Sequence, residues 1–298
     1  MPIRIGTAER SSTFFSQGIA LKTVLDRNSA LAPVAILETP QASMQNAQRL
    51  HAGEIEFGFM ASNWIGRAKA GEPPFSERID LRMAAPMNAG PLFFIARADS
   101  HLRSVADLSG KRIAFGLRTS GMAQHAVVIL EALGIAVTDV EPRYLDFAAG
   151  AEALVSGAID AQLQCPIPNK VMTDLSERID VRVLPYAPEQ LDALLAVVPH
   201  YRRTVMRAGA LRGLDADVVQ PAVVNVLATH AHTGKTVVHD VVAAVIACAA
   251  ELAQLNALFT GLDELMRDLA AGGRAQLEFG GVALHPGALR AYREAGLL

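Results

Sequence analysis

Cysteine is nearly missing: 298 residues hold two, Cys165 and Cys248, which form neither a CxxC pair nor a metal-ligand spacing. This excludes a disulfide framework and a cysteine-based zinc centre and leaves the redox compartment open. Both thiols are expected to be buried and unpaired, packing as small hydrophobes. An excess of positive charge is also lacking, since the formal net charge is -3 with Lys and Arg scattered along the chain. No basic stripe can follow a phosphate backbone, so nucleic acid is not expected as a partner, and a small molecule is. A long apolar run is missing as well. The nearest approach, Val237 to Leu255, contains His239, Asp240 and Glu251, so no membrane-spanning helix is expected.

Several chemical signatures are absent. "GKT" at Gly234 to Thr236 has Thr229 where a phosphate loop needs its first glycine, and no GxGxxG follows a strand, which speaks against a nucleotide enzyme. No GxSxG elbow exists to present a nucleophilic serine. "THAHTGKTVVH" sets His230 and His232 two apart, a spacing that chelates a metal on a strand, but no third ligand is placed by spacing, and no metal is expected. The chain opens Met1-Pro2 and enters a strand with no charged, apolar and small-residue leader. Two placements stay open, a cytoplasmic one and a periplasmic one with the leader removed.

What is present is apolar content for two domains: 51% hydrophobic and 19% charged residues. Apolar alternation predicts strands at Ile3 to Thr7, Val34 to Leu37 and Ile55 to Met60, with 3.6-residue periodicity predicting helices at Phe14 to Asn28 and Met44 to Ala52. Strand and helix in alternation make a doubly wound parallel sheet. The style repeats from Arg112, with strands Arg112 to Phe115, Arg143 to Leu145, Ala161 to Gln164 and Val181 to Leu184 and helices Ala123 to Leu133 and Ala149 to Ser156. Leu92 to Ala96 and Val219 to Thr229 are expected to carry the chain out and back. That gives lobe 1 as residues 1–93 plus 225–298, lobe 2 as 94–224, and a hinge at the two crossing strands. The last third reads as helices at Val237 to Leu255, Leu258 to Ala271 and Gly287 to Ala295.

Both lobes run from a strand end through Ser, Thr and Gly into a helix start, "RSSTF" and "RTSGM", so unpaired N–H groups and hydroxyls favour an anion beyond the carboxyl ends of the strands. Trp64 either floors the crevice or anchors a helix.

Several motifs, in chain order, resemble the solute receptors of TRAP transporters of the TAXI type. They are Ile5-Gly6-Thr7 with Thr13-Phe14-Phe15 and Gly18; Thr39, Ser43, Gln45 and Asn46; the strand from Gly53 and then Ser62-Asn63; and Asp107 to Arg112. Further on stand Thr119-Ser120-Gly121-Met122, Gly157 to Ala161, and Leu284-His285-Pro286-Gly287-Ala288 with Tyr292, Glu294 and Gly296. The ordered set spans nearly the whole chain. The resemblance implies an α/β type II periplasmic-binding-protein fold with two doubly wound lobes that close on a solute in the cleft between them. It further implies a receptor without catalytic residues, cofactor or metal, which hands a glutamate- or 2-oxoglutarate-like carboxylate to a TRAP permease. A ligand-sensing domain and an enzyme on the same fold are the alternatives; Lys111 and Lys170 are poor catalytic candidates, lying in turns.

The residues expected to hold the solute are Ser11, Ser12, Thr13, Ser43, Ser62, Thr119 and Ser120 through hydroxyls, and Asn46, Asn63 and Gln164 through amides. Phe14, Gly121 and Met122 complete the walls. Where relatives keep glycines in the first loop this chain has Glu9 to Ser12, and in the second it has Arg118. Arg10 or Arg118 is therefore expected to grip an acid group with its planar fork of donors.

Overall fold

Ile3 and Ile5 point inward on either side of Arg4 and open the first strand, β1 (Ile3–Gly6). The computed structural model describes residues 2–10, 12–27, 33–118, 120–164 and 167–298, so Ser11, Thr119 and Cys165 lie outside the described residues. Next come α1 (Thr13–Leu25), β2 (Val34–Leu37), α2 (Ala42–His51), β3 (Phe57–Ala61), α3 (Ser62–Ala70) and β4 (Leu81–Pro91). β1 pairs in parallel with β2 and with β3, the arrangement predicted from the alternation. Leu21, Leu25, Phe57 and Phe59 are buried between the sheet and its helices.

The second run begins with β5 (Phe93–Arg97), β6 (Arg112–Ala114), α4 (Gly121–Ala132), β7 (Glu141–Arg143), α5 (Phe147–Val155) and β8 (Ala161–Gln164). α6 (Lys170–Arg178), β9 (Val181–Val183), α7 (Pro188–Val197), β10 (Tyr201–Met206) and β11 (Val218–His230) follow. The chain ends in α8 (Lys235–Ala247), α9 (Ala249–Leu255), α10 (Leu262–Ala271) and α11 (Pro286–Glu294). One compact unit comprises Met1–Ala89 with Val224–Leu298, the other Gly90–Val223.

Both sheets are mixed. In the first unit β11 runs antiparallel to β3, with Asn225 opposite Ala61 and Thr229 opposite Phe57, and β4 also pairs with β11. In the second unit the strand order is β7-β6-β8-β5-β9. There β6 is parallel to β7 and β8, whereas β5 is antiparallel to β8 and β9. The first half of β11 pairs with β10. Leu92 to Ala96 is therefore not a crossing stretch. The chain leaves the first unit one strand earlier, inside β4, because Leu81 to Pro91 is continuous strand while residues 93–97 already pair within the second sheet.

The single helix predicted from Val237 to Leu255 is two. Cys248 departs from helical geometry at φ -107° and ψ 18°, and the axes of α8 and α9 differ by 72°. Among the described residues no single helix is long and apolar enough to cross a membrane. The C-terminal motif builds α11 against α8. His285 caps α11 by accepting from Gly287 N at Nδ1 (3.1 Å), while its Nε2–H donates to Thr233 O (3.1 Å), and Tyr292 is fully buried.

His239 on α8 donates from Nδ1 to Asp240 and from Nε2 to Glu294 on α11, each at 2.7 Å. These two carboxylates raise the imidazole's pKa above its ordinary 6.5. The imidazolium is thus favoured in the folded state. Its stabilising contribution is complete below about pH 6.5 and is lost as pH rises through the raised folded value. Urea unfolding from pH 6 to 9 is expected to show a steeper loss of stability for the native chain than for His239→Gln; parallel curves would remove His239 from the pH dependence.

Candidate functional site

In each unit a parallel strand ends, a short loop turns, and a serine-capped helix begins: β1 ends at Gly6 and α1 starts at Thr13, β6 ends at Ala114 and α4 starts at Gly121. At the first loop Ser12 is the N-cap of α1, its Oγ accepting from Phe15 N at 3.2 Å, and Thr13 is exposed in the first turn. Phe14 is buried with its ring centroid 5.6 Å from that of Phe59. Arg10 is exposed, ion-paired with Glu38, and its guanidinium lies 5.7 Å from the Phe15 ring centroid.

The other first-unit candidates are woven into the backbone at the carboxyl ends of the strands. Ser43 Oγ accepts from Ala61 N at 3.0 Å, and Ser62 Oγ accepts from Val224 N at 3.2 Å. Fully buried Asn46 donates from Nδ2 to Thr7 O (2.8 Å) and Phe59 O (2.9 Å), tying the ends of β1 and β3 together. Only Asn46 Oδ1 is left over. Asn63 Oδ1 is likewise buried without a partner. Trp64 packs edge-on to Phe75 at 6.2 Å beneath the Arg67 guanidinium, which is the helix-anchoring option.

Beside these stands an amide cluster that the sequence did not single out. Asn88 Oδ1 on β4 accepts from Gln17 Nε2 on α1 (3.0 Å) and from Asn225 Nδ2 on β11 (3.3 Å), leaving Gln17 Oε1 buried and unpartnered. The β11 register sets Asn225 opposite Ala61, immediately before Ser62 and Asn63. Only the antiparallel return of β11 brings residues 17, 88 and 225 together, so no local spacing could have found them.

In the second unit Ser120 caps α4, accepting from Ala123 N at 3.3 Å, with Gly121 exposed and Met122 half-buried in the first turn. This turn folds onto Gly116, whose φ of +93° is in the region that favours glycine; a Cβ there would stand 3.0 Å from Ser120 Oγ and 2.8 Å from Met122 Cβ. The Arg118 guanidinium stacks 3.8 Å over the Tyr144 ring centroid, and Tyr144 meets Phe115 edge-on at 6.1 Å. Gln164, at the end of β8, is fully buried, and neither of its amide atoms has a partner among the described residues. Behind α4, His125 Nδ1 and Tyr201 OH are 2.6 Å apart, and burial lowers the imidazole to about 4, so the ring is neutral at pH 7.

Taken unit by unit, the chemistry on offer is side-chain amides and a serine-capped helix N-terminus in the first, and a buried amide, a serine-capped helix N-terminus and one stacked guanidinium in the second. Among the described residues no group of three His, Cys, Asp or Glu side chains is placed to hold a metal. His230 and His232 stack at 3.9 Å, His230 Nδ1 accepting from His232 N. Lys170 is exposed and paired with Asp174 at 2.7 Å.

Two α/β units with strand-end loops, linked by two crossings of the chain, define the solute-binding-protein fold class. The chain belongs to the NMT1-like family, which it matches over residues 5–296. Among solved structures it is similar to a putative sulfonate ABC transporter component, the periplasmic sulfonate-binding protein SsuA of Methylobacillus flagellatus. That likeness has 14% identity and a TM-score of 0.61, covering 100% of this chain and 95% of the other. It also resembles a TctC solute-binding protein from Polaromonas, at 16% identity and TM-score 0.58 over 88% of each chain. A periplasmic substrate-binding protein of an ABC transporter from Coxiella burnetii shares 14% identity at TM-score 0.50, over 87% of this chain and 98% of the other.

Proposed function

We propose that this chain is an extracytoplasmic solute receptor of the TRAP-transporter TAXI type, which captures a small organic acid and delivers it to a membrane permease without chemistry of its own. The observation that carries the reading is the doubled device. In each unit a serine-capped helix follows a parallel strand across one short loop, and its unpaired N–H groups and positive dipole end favour an oxyanion. The periplasmic binding proteins that share the fold support the location and the transport role. The motif order through Gly121, Asn63 and the C-terminal segment supports the TAXI assignment, and the carboxylate follows from that assignment. The name of the Methylobacillus protein makes sulfonate the competing head group.

Arg118 is the counter-charge in this reading. Its guanidinium is stacked on Tyr144 and carries no ion pair among those described, whereas Arg10 is engaged by Glu38. The other proposed solute contacts are Ser11, Ser12, Thr13, Phe14, Ser43, Asn46, Ser62 and Asn63 on the first unit and Thr119, Ser120, Met122 and Gln164 on the second.

The test is a thermal-shift screen of carboxylates, sulfonates, amines and sugars, in which a ligand at 100 times its Kd stabilises by about 2.7 kcal/mol. Carboxylates are expected to raise the melting temperature. A response confined to sulfonates changes the head group, and one confined to amines or sugars overturns the acid reading. Arg118→Ala is expected to weaken the acid that responds by roughly tenfold or more, the worth of one charge-assisted hydrogen bond, and Arg10→Ala to leave it unchanged. The reverse pattern would exchange their roles.

A further inference from the structure

β8 is buried along its whole length, and a strand buried on both faces ordinarily reads as a run of Val, Ile and Leu. Here it reads Ala-Gln-Leu-Gln. The two-residue period sets Gln162 and Gln164 on one face. Gln162 lies against α5, where Gly150 must lack a side chain because a Cβ would overlap the glutamine amide. Gln162 Nε2 donates to Phe147 O at 3.0 Å, which fixes the amide's orientation and leaves Oε1 buried without a partner. Gln164 is 0% exposed, and neither its Oε1 nor its Nε2 has a partner among the described residues. Buried side-chain amides are almost always paired, so three orphaned atoms on one short strand call for an explanation.

Their position supplies one. β6 and β8 are parallel with Ala114 opposite Gln162, so Gln164 is level with Gly116, the residue onto which the first turn of α4 folds. The loop that leads from β6 into α4 and an unpaired, fully buried amide therefore stand at the ends of neighbouring strands of the second unit.

We propose that Gln162 and Gln164 are specificity-determining residues that read a carboxamide end of the solute, so that the protein prefers an amide-bearing acid to the corresponding dicarboxylate. This rests on the solute-receptor reading and narrows its substrate class. The orphan atoms set the requirement: two carbonyl oxygens need donors and one NH2 group needs an acceptor. A carboxylate only accepts, so it meets the Gln164 NH2 while setting its negative oxygens against two carbonyl oxygens. An ammonium group only donates. A primary carboxamide does both and pairs with Gln164 through two antiparallel N–H···O bonds, its second hydrogen directed at Gln162 Oε1. The acid end of the same molecule is left to Arg118 and the α4 N-terminus.

The experiment is calorimetric titration of the full chain with matched acid and amide pairs, succinate against succinamate and glutarate against glutaramate. The amide is expected to bind about tenfold tighter or more, since a site built for an N–H rejects the analogue that lacks it. Gln164→Met, close in volume and apolar, is expected to abolish that preference and to melt at or above the native temperature, because an unpaired buried amide is removed. Equal binding within each pair, or a preference that survives Gln164→Met, overturns the assignment while leaving the receptor reading standing. A sharp fall in the melting temperature of Gln164→Met also overturns it, by showing that the amide serves the fold. Silence from every pair and from the wider acid screen overturns both readings together.

Discussion

Gly6→Ala is expected to lower the unfolding free energy by about 2–3 kcal/mol, and by much less when Asn46 is already alanine. Gly6 ends β1 with no positive φ, so backbone freedom is not why it is glycine. The reason is α2, which crosses the strand ends close enough that a Cβ at residue 6 would overlap Asn46 Oδ1 and approach Ile55 Cδ1 to 2.7 Å. Asn46 cannot swing aside cheaply, since its Nδ2 holds Thr7 O and Phe59 O in a fully buried place, and losing it would leave two carbonyls short of a donor at about 1–3 kcal/mol each. Gly58 on β3 meets the same side chain, its would-be Cβ 3.0 Å from Asn46 Cβ. A double-mutant cycle by urea denaturation measures the coupling. Costs that add to within about 0.5 kcal/mol would mean that Asn46 is not the obstacle. The consequence for binding is specific: with both Nδ2 hydrogens committed to the backbone, Asn46 can offer a solute only its Oδ1.

The local pattern carried the strands and helices well where turn residues bound a short apolar or alternating run. Ile3 to Gly6, Val34 to Leu37 and Ala161 to Gln164 stand where alternation and turn residues put them, and Ser12 and Ser120 cap the helices that follow. What failed was anything decided by distant partners. Val237 to Leu255 holds no Gly or Pro to mark a helix end, but at Cys248 the chain turns and Ala249 and Leu252 are buried in the core, a demand that the local pattern cannot register. Leu92 to Ala96 reads as one of the two apolar stretches that carry the chain between units. Its true role is fixed by hydrogen bonds to residues 161–164 and 181–183, which no window of ten residues contains.

The site was legible as composition and illegible as wiring. Hydroxyls and amides at strand ends were visible, yet Ser43 and Ser62 turn out to accept from backbone N–H groups, work that any serine in such a loop can do. The two added arginines looked equivalent in sequence, whereas the fold gives Arg10 an acidic partner and Arg118 an aromatic one. Gln17, Asn88 and Asn225 sit inside elements that read as ordinary helix and strand, and their shared hydrogen bonds appear only once β4 and β11 lie side by side.

Gly287→Ala is expected to be the costliest single methyl in the chain, about 3 kcal/mol, the upper end of what overpacking a closed interface costs. A Cβ on Gly287 would overlap Lys235 O and stand 2.9 Å from His239 N and 3.2 Å from Lys235 C. All three are backbone atoms of the first turns of α8, and unlike a side chain they have no rotamer to move to. The clash is therefore relieved only by lifting α11, which carries His285 away from Thr233, Tyr292 out of its buried place and Glu294 away from His239. On this scale the melting temperature falls by roughly 10 °C. Gly234→Ala, just before the same helix, is the control: its Cβ would find only Val237 Cγ2 at 3.9 Å, so it is expected to cost less than about 1 kcal/mol. Solute titration of Gly287→Ala below its melting point separates packing from recognition. The acid affinity is expected to match that of the native chain, because the motif's polar groups are spent on the α8–α11 contact; affinity lost beyond the unfolded fraction would bring the C-terminal motif into the binding site.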